Sequence, residues 1–163
     1  NHPVEMGLPM LHLMNAGFEI DIVTPTGAPV AIEEWAMPAD DADVKRLYRD
    51  HADTFANPGS LADFVAHKMN GAAPYAAVFI PGGHGAMLGL PDNKNVGEVL
   101  HWAYEQDLFT LALCHGPAAL LSAKTEKGFL YDGYKTTVFP DSVDKQTPMI
   151  GYLPGPVPGW VCE

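Results

Sequence analysis

The 163 residues are 47% hydrophobic and 18% charged, with nine Lys plus Arg against twenty Asp plus Glu and a formal net charge of -11. That balance leaves no basic field for phosphates, so neither nucleic acid nor an anionic membrane surface is an expected partner. The length suits one domain over residues 1–163, and no apolar run approaches the roughly twenty residues of a membrane span. No charged-then-apolar leader is evident, so the expected location is cytoplasmic. Two cysteines, Cys114 and Cys162, are too few for a disulfide framework and read as free thiols.

In chain order, Pro3 to Asn15 reads as a helix, with Pro3 suited to the first turn and Gly17 to the cap. Pro9 predicts either a kink or a helix beginning near Leu8, with Glu5 on that loop or first turn. Phe18 to Thr24 alternates apolar with polar residues and reads as a strand, and Val30 to Ile32 as another. The polar, acidic stretch 37–59 reads as an exposed helical insertion, with Asp40-Asp41 starting a helix over Val44 to Phe55. Leu61 to Met69 is a second helical stretch. Tyr75 to Ile80 is almost wholly apolar, as expected of a strand buried on both faces, and runs into Pro81-Gly82-Gly83-His84-Gly85-Ala86. An amphipathic helix over Val96 to Glu105 precedes a buried strand, Phe109 to Leu113, and a helix opening at Gly116-Pro117. A last strand, Tyr134 to Phe139, leads into Pro140 to Lys145. This alternation predicts an α/β fold with a mainly parallel sheet flanked by helices. The chain opens at Asn1 on a helix-start pattern and closes on Gly159-Trp160-Val161-Cys162-Glu163 without a terminating element, as expected of a longer polypeptide incomplete at both ends.

Working loops in such sheets gather beyond the carboxyl ends of strands, which selects Pro81 to Ala86, Leu113 to Pro117 and Pro140 to Lys145. Cys114 falls at the strand-to-helix turn, where a side chain is held at the sheet edge near helix amides. That setting predicts a nucleophile with a pKa below the roughly 8.5 of a free thiol; the alternative is an inert, space-filling cysteine. The glycine loop lacks a following Lys-Ser/Thr and the spacing of a dinucleotide fingerprint, which argues against phosphate. Its glycines suit backbone amides close to a small ligand, or an ordinary turn.

Tyr75-Ala-Ala-Val-Phe-Ile-Pro-Gly-Gly-His-Gly-Ala86, Leu113-Cys-His-Gly-Pro-Ala-Ala119 and Phe139-Pro-Asp-Ser-Val-Asp-Lys-Gln-Thr-Pro148 resemble the glutathione-independent glyoxalase (glyoxalase III) and heat-shock chaperone branch of the ThiJ/PfpI superfamily. Asn1-His-Pro-Val-Glu5, Trp35-Ala-Met-Pro38 and Ile150-Gly-Tyr-Leu-Pro-Gly155 extend the similarity over essentially the whole chain. The resemblance implies a flavodoxin-like fold of the class I glutamine amidotransferase-like type. It makes Cys114 the nucleophile, His115 the triad histidine, Asp144 the acid that orients it, and Glu5 the proton-moving carboxyl at the sulfur. Gly82, Gly83 and His84 match the loop whose amides face the substrate oxygen.

The same resemblance implies conversion of methylglyoxal and other 2-oxoaldehydes to lactate-type acids without glutathione, a protein deglycase activity, capture of unfolded proteins, and a homodimer. No redox cofactor is required. The branch also carries a zinc site of two histidines and a carboxylate, matched here by His51 and Glu19, but Met14 occupies the other histidine position. A thioether is a poor zinc ligand, which puts the site in doubt. A holdase chaperone is the alternative to the enzyme, and an amidotransferase-like hydrolase is a weaker one.

Overall fold

The computed structural model describes residues 1–69, 74–149, 151, 153 and 157. Helix α1 (Pro3–Asn15) starts on Pro3, whose missing N–H falls among the amides that a first turn leaves unbonded anyway. It begins at Pro3 and not near Leu8, so Glu5 lies on its first turn. The hydrogen bond that Pro9 cannot make is offset by packing: Met6 and Met10 are buried against Leu47 and Phe55. The chain leaves α1 at Gly17 (φ +91°), whose amide bonds Met14 O at 3.0 Å.

The acidic stretch forms two helices where the sequence predicts one. Asp41 caps α2 (Ala42–Asp50), its Oδ1 accepting from the amides of Asp43 at 3.1 Å and Val44 at 2.9 Å. A break at His51 precedes α3 (Ala52–Ala56). Nor is the segment simply exposed. Val44, Leu47 and Phe55 are buried, and Tyr48 donates its hydroxyl to Pro3 O at 2.8 Å. Residues 44, 47 and 48 share one helical face, and that face docks on α1.

Strand β1 (Val23–Thr24) pairs in parallel with β2 (Gly59–Ser60), which leads directly into α4 (Leu61–His67). Strand β3 (Ala77–Ile80) pairs in parallel with β4 (Phe109–Ala112), in register from Ala77↔Phe109 to Ile80↔Ala112. The crossover between them contains α5 (Lys94–Glu105), capped by Asn93. A short antiparallel pair, β5 (Lys124–Thr125) and β6 (Gly128–Phe129), follows the 3-10 helix Gly116–Ala123, and α6 (Asp141–Asp144) is the last element among the described residues. Of the strand expected over Phe18 to Thr24 only the last two residues pair, and Val30 to Ile32 and Tyr134 to Phe139 form no ladder. Alternation makes a segment fit to be a strand, but neighbours must supply the bonds. Here isolated bonds, Val30 N–H to Phe55 O (2.9 Å) and Phe139 N–H to Cys114 O (3.0 Å), tie those stretches down.

Ile80, Leu100, Ala119, Leu120 and Ala123 form the core between β3, α5 and the Gly116–Ala123 helix. Neither long strand is buried on both faces as predicted. Only Ile80 is buried on β3, and on β4 Phe109 and Leu111 are exposed by 74% and 43%. Their side chains point to a face that no element among the described residues covers. No helix among those residues is long and apolar enough to cross a membrane. The parallel β3–β4 ladder matters most for function, because it ends Pro81–Gly83 and Leu113–His115 side by side.

Candidate active site

Cys114 has φ +58°, the left-handed region that costs a residue with a Cβ about 1–2 kcal/mol. Hydrogen bonds on both sides hold it there: Leu113 N–H to Ile80 O (3.2 Å), Gly116 N–H to Leu113 O (2.7 Å) and Phe139 N–H to Cys114 O. A Cβ on Gly116 would lie 2.6 Å from Ile80 O, so only glycine lets the turn close against β3. The predicted strand-to-helix elbow is present, with a 3-10 helix following it.

His115 follows Cys114 yet points back into the site. Its Nδ1 lies 3.3 Å from Cys114 Sγ and its Nε2 lies 2.7 Å from Asp144 Oδ2. Both His115 and Asp144 are 1% exposed, and Phe139 stacks on the imidazole at 4.6 Å. The Asp144 carboxylate oxygens meet two imidazoles, Oδ2 that of His115 and Oδ1 that of His84, 3.3 Å from Nε2.

Glu5 reaches Cys114 from α1. A Cβ built on Gly82 would collide with Glu5 Oε2 and come within 2.6 Å of Cys114 Cβ, which locates the carboxyl, the sulfur residue and the glycine backbone in mutual contact. Gly82 is thus required by close approach, and Gly83 by its φ of +100°. Burial first, then the charge and hydrogen bond of Glu5, push the Cys114 thiol up to about 12, against the opposing pull of the Gly83 and His115 amides. The thiol pKa thus lies above that of a free cysteine, not below it as the turn position predicts. Two amides do not outweigh desolvation and a neighbouring carboxylate.

The glycine loop also departs from expectation at His84. Its amide does not face a substrate position but donates to Glu33 Oε1 at 2.7 Å. The amides that reach the sulfur are those of Gly83 and His115. Glu33, which the sequence reading passed over, is 5% exposed, and the same Oε1 lies 3.6 Å from His84 Nδ1. The Glu33 carboxylate beside Nδ1 outweighs burial and holds His84 above its ordinary pKa, with Asp144 adding to the effect. Burial would raise the Glu33 carboxyl, but the His84 ring and amide hold it below its ordinary value. The available signal was position, since Glu33 directly follows Val30 to Ile32 and so occupies a loop after a strand-like run.

Glu19, His51 and Met14 line one open cleft of about 340 Å³ together with Met10 and Phe18. The three matched positions are brought together, but their donor set is one imidazole, one carboxylate and thioether sulfur, which does not fit zinc. His84, His115 and Asp144 converge elsewhere and are committed to one another. Cys162, with the end of the chain around Trp160, lies outside the described residues.

A cysteine elbow on a parallel sheet, with an aligned histidine and acid and a carboxyl at the sulfur, defines a class of cysteine-centred α/β proteins. The DJ-1/PfpI family matches residues 2–147, and the chain belongs to that family. The ThiJ/PfpI resemblance and its flavodoxin-like fold are thereby borne out. Protein/nucleic acid deglycase HchA of Escherichia coli O1:K1 is 48% identical over 155 residues, 95% of this chain and 54% of that protein. HchA of Shigella flexneri matches to the same extent. The chain spans about half the length of the curated relatives it matches. Among solved structures, glyoxalase III from Candida albicans superposes with a TM-score of 0.74 at 22% identity, over 93% of this chain and 65% of that one, a likeness of fold. The Rapid Encystment Protein 24 KDa of Francisella tularensis gives 0.74 at 25% identity, over 94% and 65%.

Proposed function

We propose that the intact protein carrying this chain converts 2-oxoaldehydes such as methylglyoxal to 2-hydroxy acids without glutathione, with Cys114 as nucleophile. The observation that carries the reading is the contact of Cys114 with the Glu5 carboxyl, opposite the Gly83 and His115 amides. In the first step the sulfur bonds to the aldehyde carbon while Glu5 takes the thiol proton and returns it to the carbonyl oxygen, which becomes the hydroxyl of a hemithioacetal. The two amides stabilise the oxygen as its charge develops. Glu5 then moves a proton from the former aldehyde carbon to its neighbour through an enediolate, while the hydroxyl proton passes to the former ketone oxygen, leaving a thioester of the 2-hydroxy acid. Water, deprotonated by His115 with Asp144 as its orienter, cleaves the thioester to the hydroxy acid and restores the thiol. The balance is one oxoaldehyde plus one water to one hydroxy acid, so no redox cofactor is needed.

The same thiol chemistry extends to early adducts of these aldehydes with proteins, a deglycase activity for which the kinship with HchA is support. Such an enzyme is labelled a glyoxalase III-type lyase. We also propose that it acts without zinc, because the Met14 cleft has the wrong donors, and as a homodimer. Methylglyoxal turnover without added glutathione, compared in the native protein and Cys114→Ala, tests the proposal. Lactate release surviving in Cys114→Ala would sink it. A second reading, capture of unfolded chains, is favoured by the exposed apolar face of β4, where Phe109, Leu111 and Leu113 stand open. Client protection retained in Cys114→Ala would separate that function from the first.

A further inference from the structure

We propose that Glu33 is a positioning residue that does two things: it pins the Gly82–His84 loop over Cys114, and it makes His84 the cationic imidazole on Asp144, leaving His115 neutral toward the sulfur. The inference deepens the reading of Cys114 as a nucleophile and rests on it.

The geometry points to a division of charge between two histidines. Asp144 gives one oxygen to each ring, and the ring centroids stand 4.4 Å apart. Two imidazolium ions that close repel, so one proton fewer is favoured. The flanking groups decide which ring keeps its charge. Both nitrogens of His84 face carboxylate oxygens, Nε2 that of Asp144 at 3.3 Å and Nδ1 that of Glu33 at 3.6 Å. A neutral ring would turn a lone pair on one of them; only the doubly protonated ring suits both. His115 faces one carboxylate and one sulfur, so with Nε2–H on Asp144 its Nδ1 offers a lone pair toward Cys114. A neutral His115 is the form able to take a proton in the thioester step.

Glu33 acts on the loop by the same oxygen. Its Oε1 receives the His84 amide at 2.7 Å, and Oε2 is buried without a hydrogen-bond partner among the described residues, so the side chain's hydrogen bonding is directed at His84. Among the described residues the groups facing His84 include Glu33 ahead of the 3-10 turn Glu34–Ala36, Asp144 of α6 and the His115 ring; Glu5 of α1 and Cys114 lie next to them, against Gly82, and the Asn1 amino group near Gly85 also acts on Glu33. Of these, Glu33 alone hydrogen-bonds the loop backbone and also sets a carboxylate oxygen 3.6 Å from the imidazole.

Imidazole 15N shifts in the intact protein near pH 6.5 test the charge assignment with no substitution. We expect His84 doubly protonated and His115 as a neutral Nε2–H tautomer. Glu33→Gln keeps an oxygen for the His84 amide but removes the charge. It should shift the His84 titration midpoint downward and lower turnover by up to about a hundredfold, the scale of lost positioning. A neutral His84 in the native protein, or a midpoint that Glu33→Gln leaves in place, overturns the proposal even if methylglyoxal is turned over. Absence of turnover in a native protein with the expected shifts overturns the nucleophile reading instead.

Discussion

Glu5→Gln separates a proton carrier from a helix-capping carboxylate. The substitution is isosteric on the first turn of α1 and keeps the side chain between Gly82 and Cys114. Burial, then Glu5, takes the thiol from 9.0 to about 12, and glutamine removes the carboxylate charge while leaving the burial. If that charge accounts for about 1.4 kcal/mol, the pH of half-maximal Cys114 alkylation falls by about 1, as read by rapid mixing with iodoacetamide and peptide mass spectrometry. Turnover should fall about a hundredfold or more, because no group remains to accept and return the proton. A purely capping role predicts instead a loss of about 0.3–1 kcal/mol of stability and little else. Retention of more than about a third of native turnover, with an unmoved alkylation midpoint, would refute the reasoning and leave His115 as the base.

Gly82→Ala drives a methyl group into Glu5 Oε2 and to within 2.6 Å of Cys114 Cβ; we expect about 1–3 kcal/mol of destabilisation in denaturant melts and a larger loss of turnover than of fold. The Glu33–His84 pair has a pH window. The depressed Glu33 carboxyl contributes stability above its ordinary 4.5 and loses it as pH falls through its folded value; the raised His84 contributes fully below its ordinary 6.5 and loses it as pH rises through its own. The melting-temperature cost of Glu33→Gln should therefore be largest between pH 4.5 and 6.5 and shrink above the folded His84 value. Met14→His should convert weak zinc binding into stoichiometric binding by calorimetry with turnover unchanged; stoichiometric zinc in the native protein, lost in Glu19→Ala, would mean another side chain serves as the third ligand.

The elbow was legible because it is local: an apolar run, a cysteine, then Gly116-Pro117 fix strand, turn and helix start within a dozen residues. The encounter of His115 with Asp144, 29 positions later, and of Cys114 with Glu5, more than a hundred positions earlier, was implied by family resemblance and not by pattern. Glu33 stayed hidden because Glu33-Glu34 reads as a solvated acidic pair; nothing in the two letters says that one is 5% exposed. Strand alternation at Phe18 and Tyr134 failed for the converse reason, since pairing belongs to two segments and the sequence of one does not contain the other. The helical face of residues 44, 47 and 48 was readable by period and was obscured by the acidic residues around it.

A thiol held near 12 is a poor nucleophile if its proton must go to water, but the proton has a nearer destination. That value measures loss of the proton to water, which leaves two negative charges in a partly buried site beside one another. Transfer from Cys114 to Glu5 is a different event: the pair carries one negative charge before and after, so neither burial nor mutual repulsion opposes it to the same degree. The sulfur can then become a thiolate for the moment of attack without the site ever releasing its proton. As charge moves from sulfur to the carbonyl oxygen it passes towards the Gly83 and His115 amides, and Glu5 returns the thiol proton to that oxygen, which leaves the carboxylate free to take the proton of the same carbon. On this account the loop glycines, the elbow and the first turn of α1 form one device, because displacement of Gly82 moves both the proton donor and its acceptor.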